Sequence, residues 1–519
     1  MPPTKSHPAE RRVALGAAAL SPGRAVRAGC AAAALLLAGC AVGPDFRAPA
    51  PPKTDAYTAA ALPAETASAP VDGGASQRFV PGRDIPGQWW TLFQCAKLDR
   101  LIRQALADNP TLAAAQATLT AARENLRART GSALYPQVDG KASVVRQEIS
   151  GAAFGQPDAP ASVFTLYNAS VNVSYALDLA GGARRELEAL RAQVDYQRFQ
   201  LEGAWLSLTA NVVTAAVQEA GLRAEIRATR EIVAAQEKQL ALVEQQLQLG
   251  GIARPDVLAQ EAQLAQARAT LPPLEKQLAQ NRHLLAILAG KTPGEAASLP
   301  EFELSDLQLP AELPVSLPSA LVRQRPDIRA SEELLHAACA QVGVATANLF
   351  PQLTLTGSLG SETSSFGDLF STGTAVWSLG AGVLQPIFHG GELTAKRRAA
   401  VAAFDQAGAQ YRETVLQSFR DVADVLRALE MDAQTLKAEA DAEAAARASL
   451  DLAGDQFRLG ATSYLTLLNA ERQHQQAKLA LAQARAARYA DTAALFKALG
   501  GGWWNRPPEE NNENTPKKE

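Results

Sequence analysis

Leu37-Ala38-Gly39-Cys40 is the one stretch whose residue types and spacing point to covalent chemistry. Lys5, Arg11, Arg12, Arg24 and Arg27 form a basic region, a short apolar run follows from Ala31 to Leu37, and small residues lead to the cysteine. That order is an export signal closed by a lipidation site, with cleavage before Cys40 and acylation of its thiol. Residues 1–39 are therefore expected to be a signal peptide. Ala41 rather than Asp follows the cysteine, which in lipoproteins implies delivery to the outer membrane. The remaining reactive side chains do not converge. Cys30 leaves with the signal, and Cys95 and Cys339 read as two incidental thiols, although one disulfide is arithmetically possible. The five histidines are scattered without metal-ligand spacing. There is no glycine-rich phosphate loop and no nucleophile elbow. The expectation is a protein that is not an enzyme, with no metal and no cofactor beyond the lipid on Cys40.

The elements that must position any other site are two long rods, Arg184 to Leu249 and Glu392 to Leu459. Each is a helix-forming stretch without proline, and at ~1.5 Å per residue each would span ~100 Å. In the first, Leu187, Leu190, Val194, Leu201, Trp205, Leu208 and Val212 begin a series of apolar steps of three, four or seven. That is the period of a helix packed lengthwise on other helices. Upstream of the first rod, Val171, Val173, Tyr175, Leu177 and Leu179 alternate with Asn172, Ser174, Ala176 and Asp178 up to Gly181-Gly182. This is a strand with one apolar and one polar face. Trp377 to Phe388 precedes the second rod and ends at Gly390-Gly391, with Pro386 marking an irregular end.

Taken in order, residues 40–87 are rich in Pro, Ala, Thr and Gly and read as an extended, lipidated tether. Residues 88–290 form a first repeat: short helices, a strand hairpin (Val138 to Val145, then Ala169 to Leu179), the rod, and a return helix with a break expected at Pro272-Pro273. Residues 291–324 are a proline-rich connection, residues 325–504 repeat the pattern, and residues 505–519 read as a disordered tail. Leu249, Gly250, Leu258, Glu261 and Gln263 recur as Leu459, Gly460, Leu468, Glu471 and Gln473, which marks an internal duplication. A composition of 47% hydrophobic and 20% charged residues, with a net charge of −3, gives no basic excess for nucleic acid. No stretch is long and apolar enough for a membrane-spanning helix, so any spanning falls to strands. Four strands cannot close a membrane barrel, which needs roughly eight or more. The chain must contribute to a shared one, and polar strand faces turned inward would make a wet conduit.

Further segments carry a family resemblance: Val42-Gly43-Pro44-Asp45-Phe46, Trp89-Trp90, Leu317-Pro318-Ser319, Arg325-Pro326-Asp327-Ile328-Arg329, Gln385-Pro386-Ile387-Phe388, Tyr464-Leu465-Thr466-Leu467-Leu468-Asn469-Ala470-Glu471 and Lys497-Ala498-Leu499-Gly500. With the lipidation site, they resemble the TolC-like outer-membrane efflux proteins in their lipoprotein branch. The resemblance implies a mainly α fold with a small β part: a long α-helical barrel continuous with a transmembrane β-barrel, four strands per chain, shared in a homotrimer. It implies a periplasmic adaptor and an inner-membrane transporter as partners, besides outer-membrane lipid. It also implies roles for particular residues. Leu249-Gly250-Gly251 and Leu459-Gly460-Ala461 would be adaptor-docking tips, although a glycine helix cap explains the turns alone. Asp256 would latch neighbouring helices, with Arg458 as its basic partner. Leu465 and Asn469 would form the periplasmic constriction, where relatives often carry Asp at the second position. The implied function is the exit duct of a drug or small-molecule efflux pump. The same duct serving protein secretion or metal-ion efflux is the alternative, and a structural coiled-coil lipoprotein would explain the rods but not the strands.

Overall fold

The computed structural model describes residues 41–54, 56–150, 152, 155, 158 and 160–506. The stretch expected to be a signal peptide, Cys40 and the residues beyond 506 lie outside the described residues. In chain order the elements are β1 (Arg78–Pro81), a 3-10 turn (Trp89–Phe93), α1 (Ala96–Asp108), α2 (Pro110–Leu134), β2 (Gln137–Ile149) and β3 (Ser162–Leu177). Then come α3 (Gly182–Gln248), α4 (Arg254–Leu288), β4 (Glu312–Val315), α5 (Pro318–Gln324), α6 (Pro326–Ala347), β5 (Gln352–Thr363), β6 (Ala375–Leu384), α7 (Glu392–Arg458) and α8 (Tyr464–Ala498). The duplication is plain in the lengths. Helices α3 and α7 have 67 residues each, and α4 and α8 have 35 each.

Two compact units divide the chain. The first comprises the described residues of Met1–Pro44, Ser132–Glu186 and Gln341–Arg398, and it holds an antiparallel sheet in the order β2-β3-β5-β6. Its register sorts side chains by chemistry. Val173 lies opposite Val138, Val171 opposite Leu359, and Leu359 opposite Trp377, so these share one face. Asn172 opposite Ser358, and Ser358 opposite Ser378, share the other. The apolar face is bare: Trp377 is 76% and Leu379 83% exposed. Strands β2 and β6 are the edges, each paired on one side. Near the start of α3, the buried Arg185 guanidinium donates to the carbonyl oxygens of Ala41, Val42 and Gly43 at 3.2–3.4 Å.

The second unit comprises the described residues of Asp45–Gly131, Leu187–Ala340 and Ala399–Glu519. Its core is mostly aliphatic and is built around a cluster of aromatic rings. Trp89, Trp90 and Phe93 are buried with Leu98 and Ile102 of α1, and Trp89 stacks on Phe496 of α8 at 5.2 Å. Burying such rings dominates the energetics of a core because each removes a large apolar area from water. Helices α3 and α8 approach closely at Gly221, where a Cβ would lie 2.7 Å from the Ala486 methyl carbon.

Three expectations need correction. Pro272 and Pro273 do not break the return helix, which runs unbroken through them as α4. They sit on its exposed side, as do Arg268 and Ala269, whose carbonyls lose their i+4 donors there and can turn to water. The strand expected to run to Phe388 ends at Leu384, because Pro386 has no N–H for the ladder, whereas β2 and β3 are longer than expected. The stretch read as a tether is tied down. Fully buried Arg488 donates to the carbonyls of Gly73 (3.0 Å) and Ala75 (2.6 Å) and to Thr66 Oγ1 (3.1 Å), and β1 pairs in parallel with β4 of the proline-rich connection.

Candidate functional site

The candidate residues gather at the two turns where α3 passes into α4 and α7 into α8. Each turn closes the same way. The Gly250 N–H donates to the Leu247 carbonyl (3.0 Å) and the Gly251 N–H to that of Gln246 (2.8 Å); Gly460 and Ala461 repeat this on Phe457 (3.0 Å) and Gln456 (2.8 Å). This double bond pattern is a Schellman cap, and it needs a left-handed residue after the helix. Gly250 (φ 76°) and Gly460 (φ 71°) supply it. Capping accounts for the glycines but not for Leu249 and Leu459, which stand 78% and 84% exposed at the two turns.

Beneath the turns lies a small separate core of Val243, Val257, Ala453, Tyr464, Leu467, Leu468 and Ala470. Phe457 packs its ring 5.6 Å from that of Tyr464. The buried Tyr464 hydroxyl donates to Gln260 Oε1, and the Gln260 amide donates to the Gln236 carbonyl at 3.3 Å. Burial raises the Tyr464 pKa. Glu471, two turns along α8 from Tyr464, is pushed up to about 7 by burial, and its Oε2 has no hydrogen-bond partner. Sequence reading passed over this polar cluster. A signal existed: Gln236 falls between Val233 and Leu240, and Gln260 between Val257 and Leu264, at core positions of the helical repeat.

Leu465 and Asn469 lie one turn apart on the exposed side of α8, opposite buried Leu467, Leu468 and Ala470. The arrangement presents an apolar contact and an uncharged amide side by side. Asp256 and Arg458 are not brought together within the chain. Asp256 Oδ2 accepts from the Ala253 N–H at 3.2 Å and caps its own helix, and Arg458 pairs with Asp455 one turn earlier on α7. The cap has a physical reason: alanine at the start of α4 offers no side-chain acceptor, whereas Ser463 caps α8 by accepting from the Thr466 N–H at 3.3 Å. Cys95 and Cys339 are buried and are not joined to each other in a disulfide. His336 Nε2 lies 3.0 Å from Glu188 Oε1, and its ring stacks on Phe46 at 4.3 Å, so it ties helices together. Among the described residues no helix is long and apolar enough to cross a membrane. The four-stranded sheet, with its bare apolar face, is the element suited to lipid.

The sequence matches the model of the outer membrane efflux protein family over residues 101–291 and 317–501, one segment in each half of the duplication. The chain belongs to this family. It is 34% identical, over 84% of its length and 93% of the relative's, to the pyoverdine export outer membrane protein OpmQ of Pseudomonas aeruginosa. It is 30% identical to the toluene efflux pump outer membrane protein TtgC of Pseudomonas putida, over 94% of this chain and 98% of that one. Among solved structures, the outer-membrane channel OprN superposes with a TM-score of 0.80 at 31% identity, covering 89% of this chain and all of that one. This efflux family member is thus an outer-membrane channel, mainly helical with a small β part, that serves as the exit duct of an efflux system. The reading as a structural coiled-coil lipoprotein finds no counterpart in these relatives.

Proposed function

We propose that the chain is a lipid-anchored duct, working as a homotrimer, for small apolar or amphipathic molecules. Its tips meet a periplasmic adaptor, and an inner-membrane transporter supplies the cargo. The observation that carries this reading is the sheet of the first unit, with one bare apolar face and two open edges. An open edge in hydrocarbon leaves N–H and C=O groups unpaired at several kcal/mol each, so the edges must be filled by further copies. Twelve strands from three chains fit the barrel sizes known for such membranes. The polar face, with Asn172, Ser174, Thr356 and Ser358, then lines the lumen. Leu249 and Leu459 support the docking role, because each exposed leucine gains about 1.5–3 kcal/mol when a partner covers it. Leu465 and Asn469 serve as the periplasmic constriction. Asp256 and Arg458 latch neighbouring helices only when they exchange their present partners, Ala253 and Asp455. Relatives named for pyoverdine, toluene and antibiotic export support small molecules as cargo over proteins or metal ions. The test is the mass of the protein in mild detergent. About three chains per particle is the expected result; a stable folded monomer would count decisively against the shared barrel.

A further inference from the structure

The strand register contains a feature that the duct reading does not absorb. Pairing of β3 with β5 stops at Tyr167 and Thr363, whereas pairing of β2 with β3 continues to Ile149 and Ser162. Val145–Ile149 and Ser162–Leu166 therefore form a two-stranded arm beyond the four-stranded sheet, on the side away from the chain connections to α2 and α3. At about 3.4 Å per residue the arm is ~17 Å long.

Along this arm the polarity of the faces inverts. The face that carries Val138, Val144, Val171 and Val173 in the sheet continues with Arg146, Glu148 and Thr165, and with Val163 as its one apolar side chain. The face that carries Asp139, Ser143, Asn172 and Ser174 continues with Val145 directly opposite Leu166, Gln147 opposite Phe164 and Ile149 opposite Ser162, so four of its six side chains are apolar. An outer face bearing Arg146 and Glu148 belongs in water, so the arm stands past the edge of the hydrocarbon. The inner face is then a mainly apolar surface above a polar lumen. A lone two-stranded hairpin is marginally stable in water and needs its apolar face covered. Lipid cannot cover it, because lipid meets the opposite face. The inner face continues the lumen face and so points to the axis shared with the other copies.

We propose that the arms of three copies meet through Val145, Ile149, Phe164 and Leu166 and close an apolar collar over the exit of the duct. This rests on the shared-barrel reading given above. An apolar constriction wets poorly and holds back ions and water. Molecules with apolar surface can replace the lost contacts as they pass, so the collar favours amphipathic cargo over small ions.

Single-cysteine variants test the geometry and channel recording tests the consequence. Leu166→Cys should be joined between chains by a short bismaleimide, whereas Thr165→Cys, on the outer face, should not. Phe164→Ser combined with Leu166→Ser should raise single-channel conductance several-fold in planar bilayers. Absence of interchain products from Leu166→Cys in a protein that conducts normally would overturn the collar and leave the duct intact. A native protein that forms no channel at all would instead sink the duct reading. If the double variant fails to assemble, the cysteine pair alone decides.

Discussion

Glu471 is placed where a carboxylate is costly. It sits on α8 away from the exposed Leu465 and Asn469, partly buried, near the Tyr464 hydroxyl, with one oxygen unpartnered. Burial favours the neutral acid and lifts its pKa from 4.5 to about 7. Below about pH 4.5 the group is neutral both folded and unfolded, so it does not make stability depend on pH. Between about 4.5 and 7 the folded chain keeps a proton that the unfolded chain releases, so stability falls as pH rises and levels off above about 7. The loss is roughly 3 kcal/mol at most. Glu471→Gln should remove this slope and raise the thermal midpoint at pH 8 while changing it little at pH 5. An unchanged slope in the variant would mean that Glu471 is solvated in the assembled protein. The same burial turns Glu471 away from the exposed Leu465 and Asn469 side of α8, so it adds no charge there. If Leu465 and Asn469 line the constriction, amides and leucines form it.

At the scale of elements, the two helical turns are near copies in backbone but differ in how the next helix starts. Both have a Schellman cap and an exposed leucine, yet Asp256 starts α4 by capping it and Ser463 does so for α8. The pseudo-repeat therefore presents two similar apolar knobs per chain. Leu249→Ser with Leu459→Ser should leave the oligomer and its melting unchanged, since both side chains are exposed, and should weaken adaptor binding at least tenfold in a pull-down or biosensor assay. Unweakened binding would move the docking surface off the tips. Most of these elements could be read from the sequence, because long runs of helical period and alternating strands are local signals. The rods and return helices begin and end within a few residues of expectation for that reason. What escaped depends on distant partners. Arg488 holds residues 66–75, and β1 pairs with β4, across separations that no local pattern records. Pro272-Pro273 misled because a proline's effect depends on which side of the helix it occupies. The polar cluster at Gln236 and Gln260 stayed hidden because glutamine in a helix reads as surface unless its heptad position is weighed.

At the scale of the whole molecule, the proposed duct would meet the membrane in two independent ways. The sheet offers a broad apolar face, and the cysteine proposed to be acylated stands directly before Ala41, whose carbonyl, with those of Val42 and Gly43, accepts from buried Arg185. Acyl chains add membrane affinity in proportion to the CH₂ groups they bury, about 0.8 kcal/mol each. The barrel gains its stability from closing edges and covering its apolar face. These terms act at different stages, since acylation works on a single chain and barrel closure requires several. Removing the lipid should therefore alter delivery and processing without removing the capacity to assemble. Cys40→Ser should abolish incorporation of a labelled fatty acid and leave the signal peptide attached. The same substitution behind a different cleavable signal should still yield trimers when the protein is extracted in detergent. Acyl labelling that persists in Cys40→Ser would remove the lipid assignment. Loss of trimers in the re-signalled variant would mean that barrel closure itself requires the anchor.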